Sequence, residues 1–195
     1  MNKNLVIIIP VRLGSRRLKN KNILPVKGLP MFVYAALNAK KSKNKPTIFI
    51  SSESEKIKKL CDKFNLNFIK RPKKLSSSLA EKQEAIVHGT RYILRKFKFK
   101  PKTVVSLQCN SPEFSSKDFD KALNVFRKKF PMKEKKELIS VGFDNCQNAA
   151  FRIMTFKAVF QKTLSTNIIV FFTNYLDIHT KQDYKKVIKN INEKL

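Results

Sequence analysis

A short apolar run ended by proline, Leu5–Pro10, constrains the fold of this chain most. An uninterrupted run of this length is typical of a strand that is buried on both faces of a sheet. Strand-sized apolar runs recur further along the chain, at residues 47–50, 67–69, 103–107, 138–141, 150–154 and 168–172. The sequence therefore predicts a sheet of about seven strands.

Helical patterns occupy the segments between these runs. They are predicted at residues 31–41, after a Ser52–Glu55 capping box, at about 80–97, from Ser115 or Ser116 to about residue 130, at 156–162, and after a cap formed by Thr180 and Asp183. This alternation predicts an α/β fold, a three-layer sandwich with helices on both sides of a mostly parallel central sheet. Because no repeat or linker interrupts the pattern, we expect a single domain over residues 1–195.

The chain is strongly basic, with 42 Lys and Arg residues against 14 Asp and Glu residues and a net charge of +28. One interpretation is that abundant lysine covers solvated helix faces. The alternative is a protein that binds the phosphate backbone of nucleic acids, which such a charge would attract without regard to sequence. The basic residues are spread along the chain and no known nucleic-acid motif is present, which favours the first interpretation and leaves the second open.

The cysteines and the apolar runs indicate a cytoplasmic protein without a membrane span. No apolar run approaches the roughly 20 residues that a membrane helix needs. Cys61, Cys109 and Cys146 are odd in number and contain no CxxC pair, which excludes a disulfide scaffold or a zinc ribbon.

The most informative segment directly follows the first predicted strand. It therefore lies at the carboxyl end of the sheet, where open α/β folds bind ligands. Gly14 lets the backbone approach a ligand closely, and Ser15 adds a small hydroxyl group. The segment also contains five cations, Arg12, Arg16, Arg17, Lys19 and Lys21. It lacks the spacing of a P-loop or of a dinucleotide-binding loop, so a phosphate site and an ordinary basic surface loop both remain open.

The opening segment IIIPVRLGSRRLKNKNI, which begins at Ile7, resembles the opening motif of the acylneuraminate cytidylyltransferases, the CMP-sialic acid synthetase family. Weaker resemblances follow in the order of that family, at residues 48–57, 71–77, 105–112, 148–151 and 176–183. The resemblance implies a nucleotide-diphospho-sugar transferase fold of the GT-A type. It also implies transfer of CMP from CTP to an acidic, sialic-acid-like sugar with release of pyrophosphate.

The resemblance also assigns roles to residues of this chain. It implies nucleotide binding by Arg12, Gly14, Ser15, Arg16, Lys21, Asn22 and Arg71. Arg12 and Lys21 would hold the triphosphate, whereas Asn22 and Arg71 would contact the ribose or the cytosine. Gln108 would contact the acid sugar. Asp177 would coordinate Mg²⁺, with Mn²⁺ as the alternative, and Arg12, Lys21 and Asp177 would form the catalytic set.

Four departures from the family pattern accompany these matches. His179 stands where a second metal-binding aspartate is usual. Ser78 stands where an aspartate usually follows the L-A-x of the R-P-x-x-L-A stretch. Glu113 and Phe114 replace a leucine–arginine pair. The segment near residues 142–148 is short where the family has a dimerisation insert, which weakens the expectation of a homodimer. A diverged family member that binds a nucleotide without transferring it is therefore an alternative.

Overall fold

The computed structural model describes residues 2–15, 17–76, 81–131, 133–144, 148, 150–163 and 165–193. The strands are β1 (Leu5–Pro10), β2 (Pro25–Val26), β3 (Leu29–Pro30), β4 (Thr47–Ser52), β5 (Asn67–Lys70), β6 (Thr103–Leu107), β7 (Glu137–Val141), β8 (Phe151–Thr155) and β9 (Ile168–Phe172). The α-helices are α1 (Met31–Lys40), α2 (Glu55–Lys63), α3 (Lys82–Phe97), α4 (Ser116–Lys128) and α5 (Lys181–Glu193). The predicted α/β alternation is confirmed.

Seven of these strands form one sheet in the order β5-β4-β1-β6-β8-β7-β9. The strands β5, β4, β1 and β6 are parallel to one another, β8 is antiparallel to both β6 and β7, and β9 is parallel to β7. Within the described residues β8 alone therefore runs against the others. The prediction of a mostly parallel sheet is confirmed.

Helices cover both faces of the sheet, and β1 shows how its sequence produces the layers. Ile7 and Ile9 pack into a cluster with α1, α2 and α4, whereas Val6 and Ile8 pack into a second cluster with α3. Because successive side chains of a strand point to opposite faces, an uninterrupted apolar run is what a strand between two helical layers requires. A third, smaller cluster places α5 against β2 and the start of α1.

The structure corrects some local predictions. The cap of α2 is Ser54, whose hydroxyl accepts a hydrogen bond from the backbone N–H of Ile57, and not Ser52. Ser52 instead accepts from the N–H of Ser54 and so stabilises the turn before the helix. The helix predicted over residues 156–162 is only a short 3₁₀ turn at Lys157–Phe160. The β2–β3 hairpin was not predicted, because strands of two residues have no periodicity to detect.

The order of the strands places a ligand site between β1 and β6. After β1 the chain moves to β4 and β5 on one side, and it then returns to β6 on the other side. In open α/β sheets the crevice at such a reversal, outside the carboxyl ends of the strands, is where ligands bind. Among the described residues, no helix combines the length and the apolar character that crossing a membrane would require.

Candidate functional site

A cavity of about 760 Å³ opens at this reversal point. Its walls come from the loop after β1, the residue after β5, the first turns of α3, the segment after β6, and the segment that follows β9. The lining residues are Pro10, Arg12, Ser15, Arg17, Lys21, Asn22, Arg71, Leu75, Glu81, Lys82, Ala85, Gln108, Cys109, Asn110 and His179. Basic side chains outnumber acidic ones in this lining, so the cavity favours an anionic ligand.

Two side chains hold the start of the loop after β1 from inside. The Nδ2 atom of Asn22 donates to the carbonyl oxygen of Arg12 at 2.9 Å. The Nη2 atom of Arg71 donates to the carbonyl oxygen of Val11 at 3.2 Å. These bonds satisfy backbone acceptors at a point where the chain has left the sheet, and they fix the path on which Arg12 enters the cavity.

Arg71 is almost fully buried, with 4% of its surface exposed. Besides its bond to Val11, its Nε donates to Ser76 Oγ at 2.9 Å, and its Nη2 pairs with Glu53 Oε2 at 3.1 Å. Burial alone would raise the pKa of Glu53, but hydrogen bonds from its own backbone N–H, from Ser76 and from Arg71 outweigh burial and lower it. Arg71 therefore joins Val11, Glu53 and Ser76 from inside the fold, and it is also part of the cavity wall.

The segment after β9 returns across the ends of the strands to the loop after β1. The backbone N–H of Ile178 donates to the carbonyl oxygen of Asn110 at 2.8 Å, and the ammonium of Lys21 donates to the carbonyl oxygen of Ile178 at 2.7 Å. Burial lowers the pKa of Lys21, and the nearby carboxylate of Asp177 partly offsets this effect. Lys21 therefore ties two walls of the cavity together.

Asp177 and His179 lie on that returning segment. The hydroxyl of Ser111, which is fully buried, donates to Asp177 Oδ1. The other carboxylate oxygen lies 3.9 Å from His179 Nε2, and His179 Nδ1 lies 3.1 Å from a guanidinium nitrogen of Arg17. Burial raises the pKa of Asp177, whereas Ser111, His179 and the two nearby lysines act in the opposite direction. Burial lowers the pKa of His179, and Lys21 adds to that effect, which favours the neutral imidazole.

The structure brings together most of the residues predicted from the sequence. The cavity wall contains six of them, Arg12, Ser15, Lys21, Asn22, Arg71 and Gln108. Asp177 does not line the cavity itself, but it stands directly behind His179, which does. Gly14 lies outside the lining, and a Cβ atom added to it would meet nothing within 4 Å, so the fold itself places no steric demand for glycine there. Arg16 and Ser78 lie outside the described residues, as do residues 145–147 of the short segment.

Sequence reasoning missed Lys82, Glu81 and Cys109 as parts of the cavity wall. Nothing in a helical pattern indicates that the first turn of α3 faces the carboxyl ends of β1 and β6. Burial raises the pKa of Cys109 to about 12, so its thiol stays protonated at neutral pH and does not act as a nucleophile.

The donor set near Asp177 is small. Within the described part of the chain no group of three His, Cys, Asp or Glu side chains is arranged to hold a metal ion. The available protein donors are one carboxylate, which is partly engaged by Ser111, and one imidazole. This set fits a divalent cation that takes most of its ligands from a bound polyphosphate and from water, as Mg²⁺ commonly does.

Comparison with known proteins assigns the family. A family model described as "Cytidylyltransferase" matches residues 6–170 of the chain. The chain belongs to the cytidylyltransferase family. The matched range contains β1 through the first residues of β9, and thus the strands that frame the cavity. The family resemblance found in the opening motif is confirmed.

Two relatives show how this cytidylyltransferase compares with characterised sequences. It is similar to the post-translational flagellin modification protein B of Campylobacter coli, with 35% identity over 127 residues, which are 63% of this chain and 52% of that protein. It is also similar to the 3-deoxy-manno-octulosonate cytidylyltransferase of Wigglesworthia glossinidia brevipalpis, with 27% identity across 93% of this chain and 72% of that one. The match thus spans about half the length of the flagellin modification protein.

Solved structures confirm the fold. The structure of CMP:2-keto-3-deoxy-manno-octonic acid synthetase complexed with CTP superimposes with a TM-score of 0.78 at 15% identity, over 98% of this chain and 100% of that chain. The manganese complex of Rv0371C from Mycobacterium tuberculosis H37Rv superimposes with a TM-score of 0.63 at 11% identity, over 95% and 97% of the two chains. The predicted α/β fold class with a mostly parallel central sheet is confirmed.

Proposed function

We propose that this protein transfers CMP from CTP to an acidic, sialic-acid-like sugar and releases pyrophosphate. The observation that carries the proposal is the cavity at the reversal point between β1 and β6, which gathers Arg12, Lys21 and Gln108 beside a segment bearing Asp177. In a cytidylyltransferase, a basic cavity at this position suits a nucleoside triphosphate, and relatives of this chain act on acidic sugars by name.

In this transfer, residues of the loop after β1 stabilise the charge of the triphosphate. The anomeric hydroxyl of the sugar gives up its proton to water, and its oxygen attacks the α-phosphorus of CTP. The bond from that phosphorus to the bridging oxygen breaks, and pyrophosphate leaves with the electron pair. Arg12 and Lys21 stabilise the negative charge on the triphosphate oxygens, with Ser15 and Arg16 in the same loop. Lys21 reaches the phosphates from a position already fixed by Ile178, so little entropy is lost when the ligand binds.

We assign recognition of the cytosine, the ribose and the acid sugar to the other residues of the cavity wall. Asn22 and Arg71 are proposed to contact the ribose or the cytosine, with the groups that their bonds to Arg12 and Val11 leave available. Gln108 is proposed to contact the acid sugar, because it lines the cavity and its backbone N–H is held by the carbonyl oxygen of Ala150. Gly14 is proposed to let the loop approach the phosphates.

Asp177 is proposed to hold a divalent cation together with oxygen atoms of the triphosphate. When bound, Mg²⁺ would neutralise charge on the phosphates and polarise the α-phosphoryl group. Ser111 fixes one oxygen of the Asp177 carboxylate. A neutral imidazole at His179 removes one negative charge relative to an aspartate and is a better ligand for Mn²⁺ than for Mg²⁺.

The proposed function also bears on the cellular location and the oligomeric state of the protein. We propose a cytoplasmic location, because CTP is the substrate and because Cys61 and Cys109 are both buried free thiols. Homodimerisation, expected to be weak because of the short segment near 142–148, remains a prediction.

A pyrophosphate-release assay tests the proposal. Purified protein is incubated with CTP, Mg²⁺ or Mn²⁺, and one of several acidic sugars that include N-acetylneuraminic acid and 3-deoxy-manno-octulosonic acid. We expect pyrophosphate only when CTP and an accepted sugar are both present. Binding of CTP without pyrophosphate release from any sugar would support the alternative of a family member that has lost transfer.

A further inference from the structure

Lys82 is a cavity residue to which the family resemblance gives no role. It is the first residue of α3, and its side chain lines the cavity with those of Arg12 and Lys21. A cation in the first turn opposes the positive end of the helix dipole, and a flexible lysine ordinarily avoids this cost by extending into bulk solvent. Lys82 is exposed, and it is one of the residues that line the cavity.

A network of polar side chains that ends at a fully buried carboxylate fixes the backbone next to Lys82. The neighbouring Gln83 donates from Nε2 to the carbonyl oxygen of Val159 at 2.5 Å and accepts from Nη1 of Arg152 at 3.0 Å. Arg152 in turn pairs with Glu137, its Nε lying 2.6 Å from Oε2, and the Glu137 side chain is fully buried. We call Gln83, Arg152 and Glu137 the α3 clamp. It joins α3 to β7 and β8, so the first turn of α3 is held to the sheet by side chains of both strands.

Two residues outside the clamp supply further hydrogen bonds to Glu137. Its second oxygen accepts from Gln161 Nε2 at 2.9 Å and from the backbone N–H of Ser165. A buried carboxylate with this many hydrogen-bond donors holds its arginine in one position. Both polar atoms of the Gln83 side chain have a hydrogen-bond partner. The α3 clamp therefore fixes the position of the backbone at Lys82.

We propose that Lys82 is an additional phosphate-binding residue, which holds the triphosphate of CTP together with Arg12 and Lys21, and that the α3 clamp positions it. This inference rests on the proposed function. A nucleoside triphosphate carries about four negative charges, and each charge-assisted hydrogen bond to it adds substantially to affinity.

The electrostatic surroundings of Lys82 agree with this role. Burial lowers the pKa of Lys82, with Asp177 opposing this and Arg12 adding to it. Arg12 and Lys82 are like charges on the wall of one cavity, and an anion bound there would attract both of them.

The test measures nucleotide affinity in EDTA, so that no metal ion contributes. Isothermal titration calorimetry of CTP and CMP is run on the full chain and on Lys82→Ala, Lys82→Arg and Lys74→Ala. Lys74 is an exposed lysine of the short helix Lys73–Ser76, outside the cavity lining, and serves as the matched control. We expect Lys82→Ala to weaken CTP binding by about tenfold or more, the range of one charge-assisted hydrogen bond, with a much smaller loss for CMP. Lys82→Arg should recover part of the loss, and Lys74→Ala should bind as the unaltered chain does.

A double-mutant cycle tests the positioning role of the clamp. If Gln83 acts on the nucleotide only through Lys82, then Gln83→Ala weakens CTP binding in the unaltered chain but adds nothing in the Lys82→Ala background. Additive losses would mean that Gln83 only supports the fold, and would overturn the positioning role.

The outcomes separate this inference from the proposed function. If the unaltered chain binds CTP neither in EDTA nor with Mg²⁺ or Mn²⁺, the proposed function is wrong and this inference falls with it. If it binds CTP only with a metal ion, the same variants are compared in the presence of that ion. If the unaltered chain binds CTP and Lys82→Ala binds it equally well, the role of Lys82 alone is wrong. Equal losses for CTP and CMP would assign Lys82 to the nucleoside end of the cavity and would also overturn the triphosphate role.

Discussion

Replacing Arg71 by alanine should cost this protein much of its stability. The guanidinium donates hydrogen bonds to Ser76, to the carbonyl of Val11 and to Glu53 while being 4% exposed. Removing one partner of a buried ion pair costs about 3–5 kcal/mol, because the other partner is left unpaired. The Glu53 side chain is 20% exposed, so water screens part of that loss. We therefore expect a loss near the lower limit, about 3 kcal/mol.

Urea denaturation of Arg71→Ala, with the unaltered chain as reference, measures this loss. Arg127→Ala is the matched control, because Arg127 is exposed and makes one hydrogen bond, to Asn44 Oδ1 at 2.8 Å. The control should stay within about 0.5 kcal/mol of the unaltered chain, as surface substitutions usually do.

The loss should also depend on pH, through Glu53. The pKa of Glu53 is lowered in the folded protein, so the carboxylate stabilises the fold above its unfolded pKa, and this stabilisation is lost as the pH falls through the folded value. The difference between Arg71→Ala and the unaltered chain should thus be largest near neutral pH and shrink below about pH 4. An exposed ion pair contributes no more than about 1 kcal/mol. A loss below that value at neutral pH would refute the proposal that the buried contacts of Arg71 stabilise the fold.

Three further expectations concern the ligands. Arg12→Ala should weaken CTP binding by about 1.5–3 kcal/mol in calorimetry while the urea midpoint is retained, since Arg12 is proposed to hold the phosphates; unchanged affinity would remove it from the site. In the pyrophosphate-release assay, Asp177→Ala should abolish turnover, and full activity in this variant would exclude the metal role of Asp177. In the same assay, His179→Asp should increase the activity with Mg²⁺ relative to that with Mn²⁺. A salt titration of RNA and DNA binding should show no specific complex at physiological salt; a tight complex whose affinity falls steeply with salt would instead favour the nucleic-acid alternative.

The strand framework could be predicted from the sequence because its signals are local. The strand Leu5–Pro10 is buried between two helical layers, and its uninterrupted apolar run is the sequence pattern that such burial requires. The loop after β1 could be placed at the ligand edge for the same reason, since the end of a strand fixes where the next residues emerge. Thr180 and Asp183 also cap α5 as their spacing predicts, with hydrogen bonds in both directions.

The contacts that shape the site could not be predicted, because they join residues that are distant in sequence. The bond from Lys21 to the carbonyl of Ile178 spans 157 positions, and that from Arg71 to Val11 spans 60. Both donors were predicted to face a ligand, and the structure shows that each also holds backbone. Gly89 gives another example, since a Cβ atom there would lie 3.0 Å from Ile8 Cδ1. This close contact arises only when α3 packs on β1.

The fate of labelled CTP tests the central claim most directly. With CTP labelled at the α-phosphate, an accepted acidic sugar and a divalent cation, we predict that the label appears in a CMP-sugar in the same molar amount as the released pyrophosphate. With the label at the γ-phosphate, it should appear in the pyrophosphate alone. Release of orthophosphate, or α-label that remains in CTP or free CMP with every acidic sugar, would contradict the assignment of this chain as a CMP transferase.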